Sequence, residues 1–400
     1  MKSTSKKRIL RMVILDLCAF CVLSYLICAQ VFRFFPWKPV EIEIPDPVPT
    51  APVAQVPATP APTDTPAPTD TPAPTDAPAS GEPAQTGETD QPLEQTPAPT
   101  DTPEPTASPT PEPSGLLKGK FAEKFSPEGV ISTETEYRSG NVAIELSRKT
   151  GYVCSKCGHT ADAPGTCASC GGTIRDKKGS DGDLVTYTLA DIYIQDLSSI
   201  QTAYAIKTAD TKRVKAFAEP NNGILAVNTD YFINAYANGH GWFYRNGVEI
   251  RRFNKIASDL CILYADGTME TIDYKERTID FEGIAARNPV QMWYFGPELL
   301  SNGAAKTKFN SSLGKKNPRT VLGYYEPGHY CFMVVDGRHG ERGLTFAELS
   351  LLCADMGLSA AYNMDGGDSS ALYFNGSTYG PDGRDTSDIV YITEPVKENN

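Results

Sequence analysis

Two acidic turns carry the residues best suited to chemistry. The apolar run Tyr330 to Val335 ends in Asp336-Gly337-Arg338, and the run Ala360 to Met364 ends in Asp365-Gly366-Gly367-Asp368-Ser369-Ser370. Two carboxylates in one place are the minimum equipment for cleaving a glycosidic bond: one protonates the leaving oxygen, and the other attacks or stabilises the anomeric carbon or activates water. Asp230, which follows the short apolar run Ile224 to Val227, is a third candidate. Arg319, within Asn317-Pro318-Arg319-Thr320, and Arg338 offer planar forks that suit a phosphate. Gly366 and Gly367 permit a turn whose backbone amides converge on an anion, with the hydroxyls of Ser369 and Ser370 close behind. The same carboxylates could instead hold a divalent cation near Asp365. Either Asp-Gly pair alone would be an ordinary turn.

The elements around these turns should bring them together. Thr345 and Glu348 have the spacing of a capping box, in which each side chain satisfies a free backbone amide of the other at a helix start. Phe346, Leu349, Leu352, Cys353 and Met356 then fall on one helical face, and Gly357 supplies the stop. The order is strand, helix, strand. If the strands are parallel neighbours joined by a right-handed crossover, their C-terminal ends share one sheet edge, and Asp336 and Asp365 open into one cleft. Leu184 to Ile194 alternates as a strand with one buried face, and Leu260–Tyr264 with Met269–Tyr274 reads as a hairpin. The expectation is an α/β (mixed α+β) domain with a mixed sheet.

Ten cysteines divide into groups. Cys154-Ser-Lys-Cys157-Gly and Cys167-Ala-Ser-Cys170-Gly are two CxxCG knuckles, a pattern that brings four thiolates to a tetrahedral zinc ion. Four cysteine ligands leave no open position, so such a zinc is structural. Outside a membrane the same cysteines could be oxidised to two disulfides. Cys261, Cys331 and Cys353 sit in apolar stretches and read as buried free thiols.

Charge and proline are unevenly spread. The chain has 37 Lys+Arg against 49 Asp+Glu, a net charge of -12, and no basic face that would suit a nucleic-acid partner. Residues 41 to 115 hold 21 of its 32 prolines, and Thr-Pro-Ala-Pro-Thr-Asp repeats three times from Thr59 to Asp76. Such a tract lacks the apolar residues for a core and reads as an extended, disordered stalk over 40–115. Met12 to Val31 has the length of a membrane-crossing helix and carries only Asp16 as a charge. Lys2, Lys6, Lys7, Arg8 and Arg11 precede it, which places a tail of residues 1–11 in the cytoplasm and the rest outside the cell. A cleaved signal peptide is the competing reading. Residues 116–400 remain for the folded domain, with the knuckles as an insertion at 150–180.

Read together, these residues resemble the phosphodiester glycosidase family. The pieces run in order from Tyr187–Asp191 and Asn228–Phe232 through Arg245-Asn-Gly247, Phe295-Gly-Pro297 and Pro318-Arg-Thr-Val-Leu-Gly323. They continue with Val335-Asp-Gly-Arg338, Gly343–Leu349, Asn363-Met-Asp-Gly-Gly367 with Ser369-Ser370, and Ser387-Asp-Ile389. The resemblance implies a mixed α/β domain that hydrolyses a sugar-1-phosphodiester, with Arg319, Asp336, Arg338, Asn363, Asp365 and the two glycines lining the pocket; Asn228 and Arg245 are further substrate-binding candidates. Two departures are Thr229-Asp230, where the family usually has Gly-Gly or Gly-Asp, and Asp368, where a third Gly is usual. The function expected is an extracytoplasmic hydrolase of sugar-1-phosphodiester linkages in envelope or exopolysaccharide material, with a carbohydrate or sugar-phosphate substrate. The alternative is a non-catalytic carbohydrate-binding protein using the same pocket in exopolysaccharide or envelope assembly.

Overall fold

The computed structural model describes residues 115–253 and 255–395. The apolar run 12–31 and nearly all of the proline-rich tract lie outside the described residues. Among the described residues no helix is long and apolar enough to cross a membrane.

Eleven strands and one helix position the site. They are β1 (Val142–Val153), β2 (Leu184–Ile194), β3 (Leu225–Asn228), β4 (Trp242–Arg245), β5 (Leu260–Tyr264), β6 (Pro289–Tyr294), β7 (Arg319–Glu326) and β8 (His329–Val335), then α1 (Phe346–Asp355), β9 (Ala360–Asn363), β10 (Leu372–Phe374) and β11 (Asp388–Ile392). The largest sheet runs β1-β2-β8-β7-β9 and is extended at β1 by three short strands. A second runs β4-β6-β5 with an outer strand on each side, β5 forming the expected hairpin with Met269–Ile272. The third is built on β10-β3-β11.

Every strand pairing among the described residues is antiparallel, which corrects the expected mixed sheet. β8 and β9 are parallel to each other but not neighbours, because β7 lies between them and pairs antiparallel with both. A strand that turns straight back through Pro327-Gly328 fills the place next to β8, so the α1 crossover must land one strand further on. The C-terminal ends of β8 and β9 still reach the same edge.

Burial follows from this sandwiching. Tyr330, Phe332 and Val334 of β8 face the other two sheets, and Cys331, Met333 and Val335 face α1. A strand covered on both faces reads as a continuous apolar run, as His329–Val335 does. β2 is also covered on both sides, Ala190 and Ile192 by one layer and Val185 and Leu189 by the other, which corrects the single buried face expected for it. The capping box forms as the spacing predicts: Glu348 N donates to Thr345 Oγ1 at 3.2 Å and Thr345 N to Glu348 Oε2 at 2.9 Å. Gly357 ends the helix with φ +76°.

Candidate active site

Register brings the two acidic turns to either side of Pro318. Val335 pairs with Arg319 and Asn363 with Val321, so both turns emerge beside the start of β7. A Cβ at Gly337 would lie 2.6 Å from Pro318 N, and one at Gly366 2.8 Å from Pro318 O. Each Asp-Gly pair therefore has its glycine where the backbone approaches too closely for a side chain. Two strand spacings separate the turns, about 10 Å. Arg338 spans that gap, donating to Asp368 Oδ2 at 2.7 Å and Asn317 Oδ1 at 3.2 Å. Its guanidinium lies over Gly367, where a Cβ would be 3.1 Å from Nη2.

Asp365 is held from several directions. Its amide donates to Thr229 O at 2.9 Å, and Asn228 Nδ2 donates to its carbonyl at 2.7 Å, so the ends of β3 and β9 are tied together. Asn228 Oδ1 accepts from Thr320 Oγ1 and Ala371 N. The Asp365 carboxylate accepts from Ser369 Oγ at 2.7 Å, from Gly366 N at 3.0 Å and from Arg384 Nη2. Burial pushes its carboxyl above the ordinary range even though Arg384 and Ser369 oppose the rise. Asp336 is similar: burial raises its carboxyl against the pull of Arg148, which is paired with Oδ2. Asp336 Oδ1 is buried without a hydrogen-bond partner among the described residues, as are Asn363 Oδ1 and Ser370 Oγ.

Asp230 lies in a different setting. Its carboxylate accepts two hydrogen bonds from Arg245 Nη2, at 2.9 and 3.0 Å, and one from Tyr294 N at 2.8 Å. The same nitrogen reaches Asp388 Oδ2 at 3.3 Å, and all three side chains are sealed from solvent. Two acids share one guanidinium, so they cannot both ionise cheaply. Burial pushes Asp230 well above the ordinary range, with Asp388 adding to the rise. Burial also acts to raise Asp388, but the hydrogen bond from Asp230 and the Arg245 charge outweigh it and hold Asp388 low. Of the two, Asp230 is therefore the stronger proton acceptor.

Arg319 is spent on backbone. Nε donates to Leu344 O at 3.0 Å and Nη2 to Leu313 O and Lys315 O at 2.8 and 2.7 Å, with the guanidinium 3.9 Å over the Phe346 ring. Burial lowers its pKa to about 10, although the Glu348 carboxylate opposes the shift. It anchors the segment that carries Leu313, which forms one wall of a cleft of about 360 Å³. Tyr231, Asn234, His240, Tyr294 and Asn310 line the same cleft. Asn363 Nδ2 donates to Gly296 O at 2.8 Å, tying a further wall residue to β9. Tyr231 has φ 52°, a left-handed conformation unusual for an aromatic residue, and Arg384 sits 5.6 Å over its ring.

The four knuckle cysteines converge: all four Sγ atoms lie within 4.8 Å of one another, with Cys154···Cys170 and Cys157···Cys167 both at 3.6 Å. A disulfide needs about 2.05 Å. Tetrahedral coordination at a metal–sulfur distance of about 2.3 Å places sulfurs about 3.8 Å apart. All four are free thiols. A second cluster, Asp273, Glu276 and Glu298, is filled by Lys306 Nζ at 2.7 to 3.1 Å. Asp365 belongs to neither group, and its charge is met by Arg384 rather than by further carboxylates.

Sequence reasoning missed Arg148, Arg384 and Asp388. Asp388 stands in a recognised piece, Ser387-Asp-Ile389, so a signal for it existed. Arg148 is one charge within a long strand and Arg384 one charge within a loop, and neither position carries a local signature.

Residues 221–393 match the phosphodiester glycosidase family. No curated protein matches the chain. Among solved structures, the zebrafish N-acetylglucosamine-1-phosphodiester alpha-N-acetylglucosaminidase catalytic domain, auto-inhibited by its pro-peptide, aligns at 16% identity over 64% of this chain and 88% of its own, with a TM-score of 0.44. A hypothetical protein from Synechocystis aligns at 10% identity over 67% of this chain and 64% of its own, at a TM-score of 0.45. An exported protein from Burkholderia pseudomallei aligns at 13% identity over 71% of this chain and 100% of its own, at a TM-score of 0.39. The matched span contains both acidic turns, the Asp230–Arg245–Asp388 cluster and Arg384, while the cysteine knuckles and Arg148 precede it. The family match covers residues 221–393 and supports a phosphodiester glycosidase-like hydrolase.

Proposed function

We propose that the protein hydrolyses the bond between a sugar's anomeric carbon and a phosphodiester, in envelope or exopolysaccharide material. The observation that carries this reading is the placement of Asp336 and Asp365 on either side of one strand start, both largely buried and both with carboxyls raised by burial. A raised carboxyl can take up or release a proton nearer neutral pH, which is what acid or base work at a glycosidic bond requires. Arg384, paired with Asp365, lies over the ring of Tyr231, which lines the cleft with Asn234 and His240, whose aromatic and amide groups suit a sugar ring. Asp230 holds Arg245 and Asp388 together at the cleft floor. Arg319 acts by fixing the Leu313 wall.

Two further parts of this reading rest on sequence or cluster chemistry. The sequence of residues 12–31 supports a tether that holds the domain outside the cell. The spacing of Cys154, Cys157, Cys167 and Cys170 supports a structural zinc. A second reading, carbohydrate binding without turnover, is favoured by the pairing of both candidate carboxylates with arginines. Turnover of a chromogenic sugar-1-phosphodiester separates the two. Asp336→Asn and Asp365→Asn should each lower kcat about 10²- to 10⁴-fold with an unchanged melting temperature. Near-normal turnover in both variants would refute the catalytic assignment.

A further inference from the structure

We infer that His240 is the hydrogen-bond donor that selects an uncharged sugar in the cleft walled by Leu313, while the phosphate stays outside that cleft. This rests on the sugar-phosphodiester reading and goes beyond it by assigning a subsite and the residue that reads it. The charge of the lining decides what can enter. Asparagines and serines line the cleft together with Tyr231, Tyr294 and Phe295, and neither Lys nor Arg is among the described residues that do so. Its one acid, Asp230, has a carboxylate sealed from solvent against Arg245. A phosphate would meet no cation here, whereas amides, hydroxyls and aromatic faces match the hydroxyls and the ring of a sugar.

His240 is the one imidazole in this lining, and its backbone is fixed. Gly239 and Gly241 flank it with φ +66° and +97°, left-handed values that a side chain resists. A Cβ at Gly241 would lie 2.8 Å from Phe243 Cζ and 2.9 Å from Tyr294 Cδ1, so the chain passes here only as glycine. The Gly241 amide donates to Lys255 O at 3.1 Å, and its carbonyl accepts from Phe253 N at 3.0 Å. The imidazole then packs beside Tyr294, another cleft residue, with 5.5 Å between ring centroids.

One ring nitrogen is closed off. Nδ1 is buried with no hydrogen-bond partner. A proton there would be a buried N–H without an acceptor, so the neutral ring carries its hydrogen on Nε2. Burial, reinforced by the Lys255 charge, lowers the pKa of the ring below its ordinary value of 6.5, and the imidazole is uncharged at neutral pH. Nε2, bonded by none of the described residues, is left to donate into the cleft that His240 lines. A neutral, directed N–H suits a sugar hydroxyl. A site built around such a donor rejects a ligand that lacks the matching oxygen, because the donor is then left unpaired.

The test uses the full chain in titration calorimetry, with methyl glycosides of the common hexoses and N-acetylhexosamines and with inorganic phosphate as probes. Wild type should bind at least one glycoside, and phosphate at tens of millimolar should not displace it. His240→Gln and His240→Met have nearly the same shape, so a difference between them reads the donor rather than the fold. The Gln variant, whose amide N–H stands near the place of Nε2, should bind the glycoside within about threefold of wild type, and the Met variant about tenfold more weakly. On a sugar-1-phosphodiester, His240→Met should raise KM about tenfold with kcat nearly unchanged, because the hydroxyl contact is made equally before and during bond breaking. No glycoside bound by wild type, displacement of the glycoside by phosphate, or equal binding in the Gln and Met variants would overturn the assignment. Glycoside binding that depends on His240 in a protein with no phosphodiester turnover would instead remove the hydrolase reading and leave this sugar subsite standing.

Discussion

The buried Asp230–Arg245–Asp388 cluster makes an asymmetric prediction. If the proton of this pair resides on Asp230, whose carboxyl is the one pushed up, Asp230→Asn replaces a neutral acid by a neutral amide of nearly the same shape. The amide oxygen can accept from Arg245 and the Tyr294 amide, and its NH2 can donate to Asp388 as the acid does. The cost should stay below about 1 kcal/mol. Asp388 accepts from Thr229 Oγ1, Phe232 N, Ser387 Oγ and Arg245 Nη2. An Asn there must point an NH2 at one of those donors, and it removes the charge opposite Arg245. Breaking a buried pair from one side costs about 3–5 kcal/mol. At about 2–4 °C per kcal/mol for a domain of this size, the melting temperature of Asp388→Asn should fall by roughly 6–20 °C, and that of Asp230→Asn by no more than roughly 4 °C.

The pH dependence follows the same proton. A carboxyl whose folded pKa is raised binds its proton more tightly when folded. Its stabilisation is present below the unfolded value of 3.8 and is lost as pH rises through the folded value. The contribution of Asp230 should therefore decline with rising pH above about 4, and Asp230→Asn should remove that part of the pH slope. Calorimetric melting across this range is the assay. An Asp230→Asn loss as large as that of Asp388→Asn, with the pH slope intact, would show that the proton sits elsewhere.

Protein purified under reducing conditions should contain about one zinc per chain, and chelation should lower the melting temperature more than it lowers turnover; mass spectrometry showing Cys154–Cys170 and Cys157–Cys167 disulfides in material from cells would reverse this. Thr345→Ala removes the hydroxyl of the α1 capping box and should cost about 1–2 kcal/mol by denaturant melting, an unchanged midpoint counting against the cap. Gly337→Ala forces a Cβ to within 2.6 Å of Pro318 N, so the Asp336 turn must shift. Activity in that variant should fall further than stability, and wild-type turnover would show that the turn tolerates displacement.

Local features were legible where a local cause produces them. The capping box, the Gly357 stop, the hairpin at Leu260–Ile272, the apolar run of β8 and the CxxC knuckles each depend on residues a few positions apart. The two Asp-Gly turns were legible for the same reason, and their order in the chain carried the family resemblance. What the sequence could not set was which strand lies beside which. β7 enters between β8 and β9 because the Pro327-Gly328 turn folds it directly back, and the resulting register places Pro318 between the acidic turns. Partner choice among charges was likewise tertiary. Arg319 and Arg338 look alike in sequence, yet one is buried on backbone carbonyls and the other bridges to Asp368. Arg148 and Arg384 stand 188 and 19 residues from the carboxylates they meet, and no spacing rule links them. A long side chain finds its partner through the fold, so the groups beside the candidate carboxylates could be identified only once the sheets were assembled.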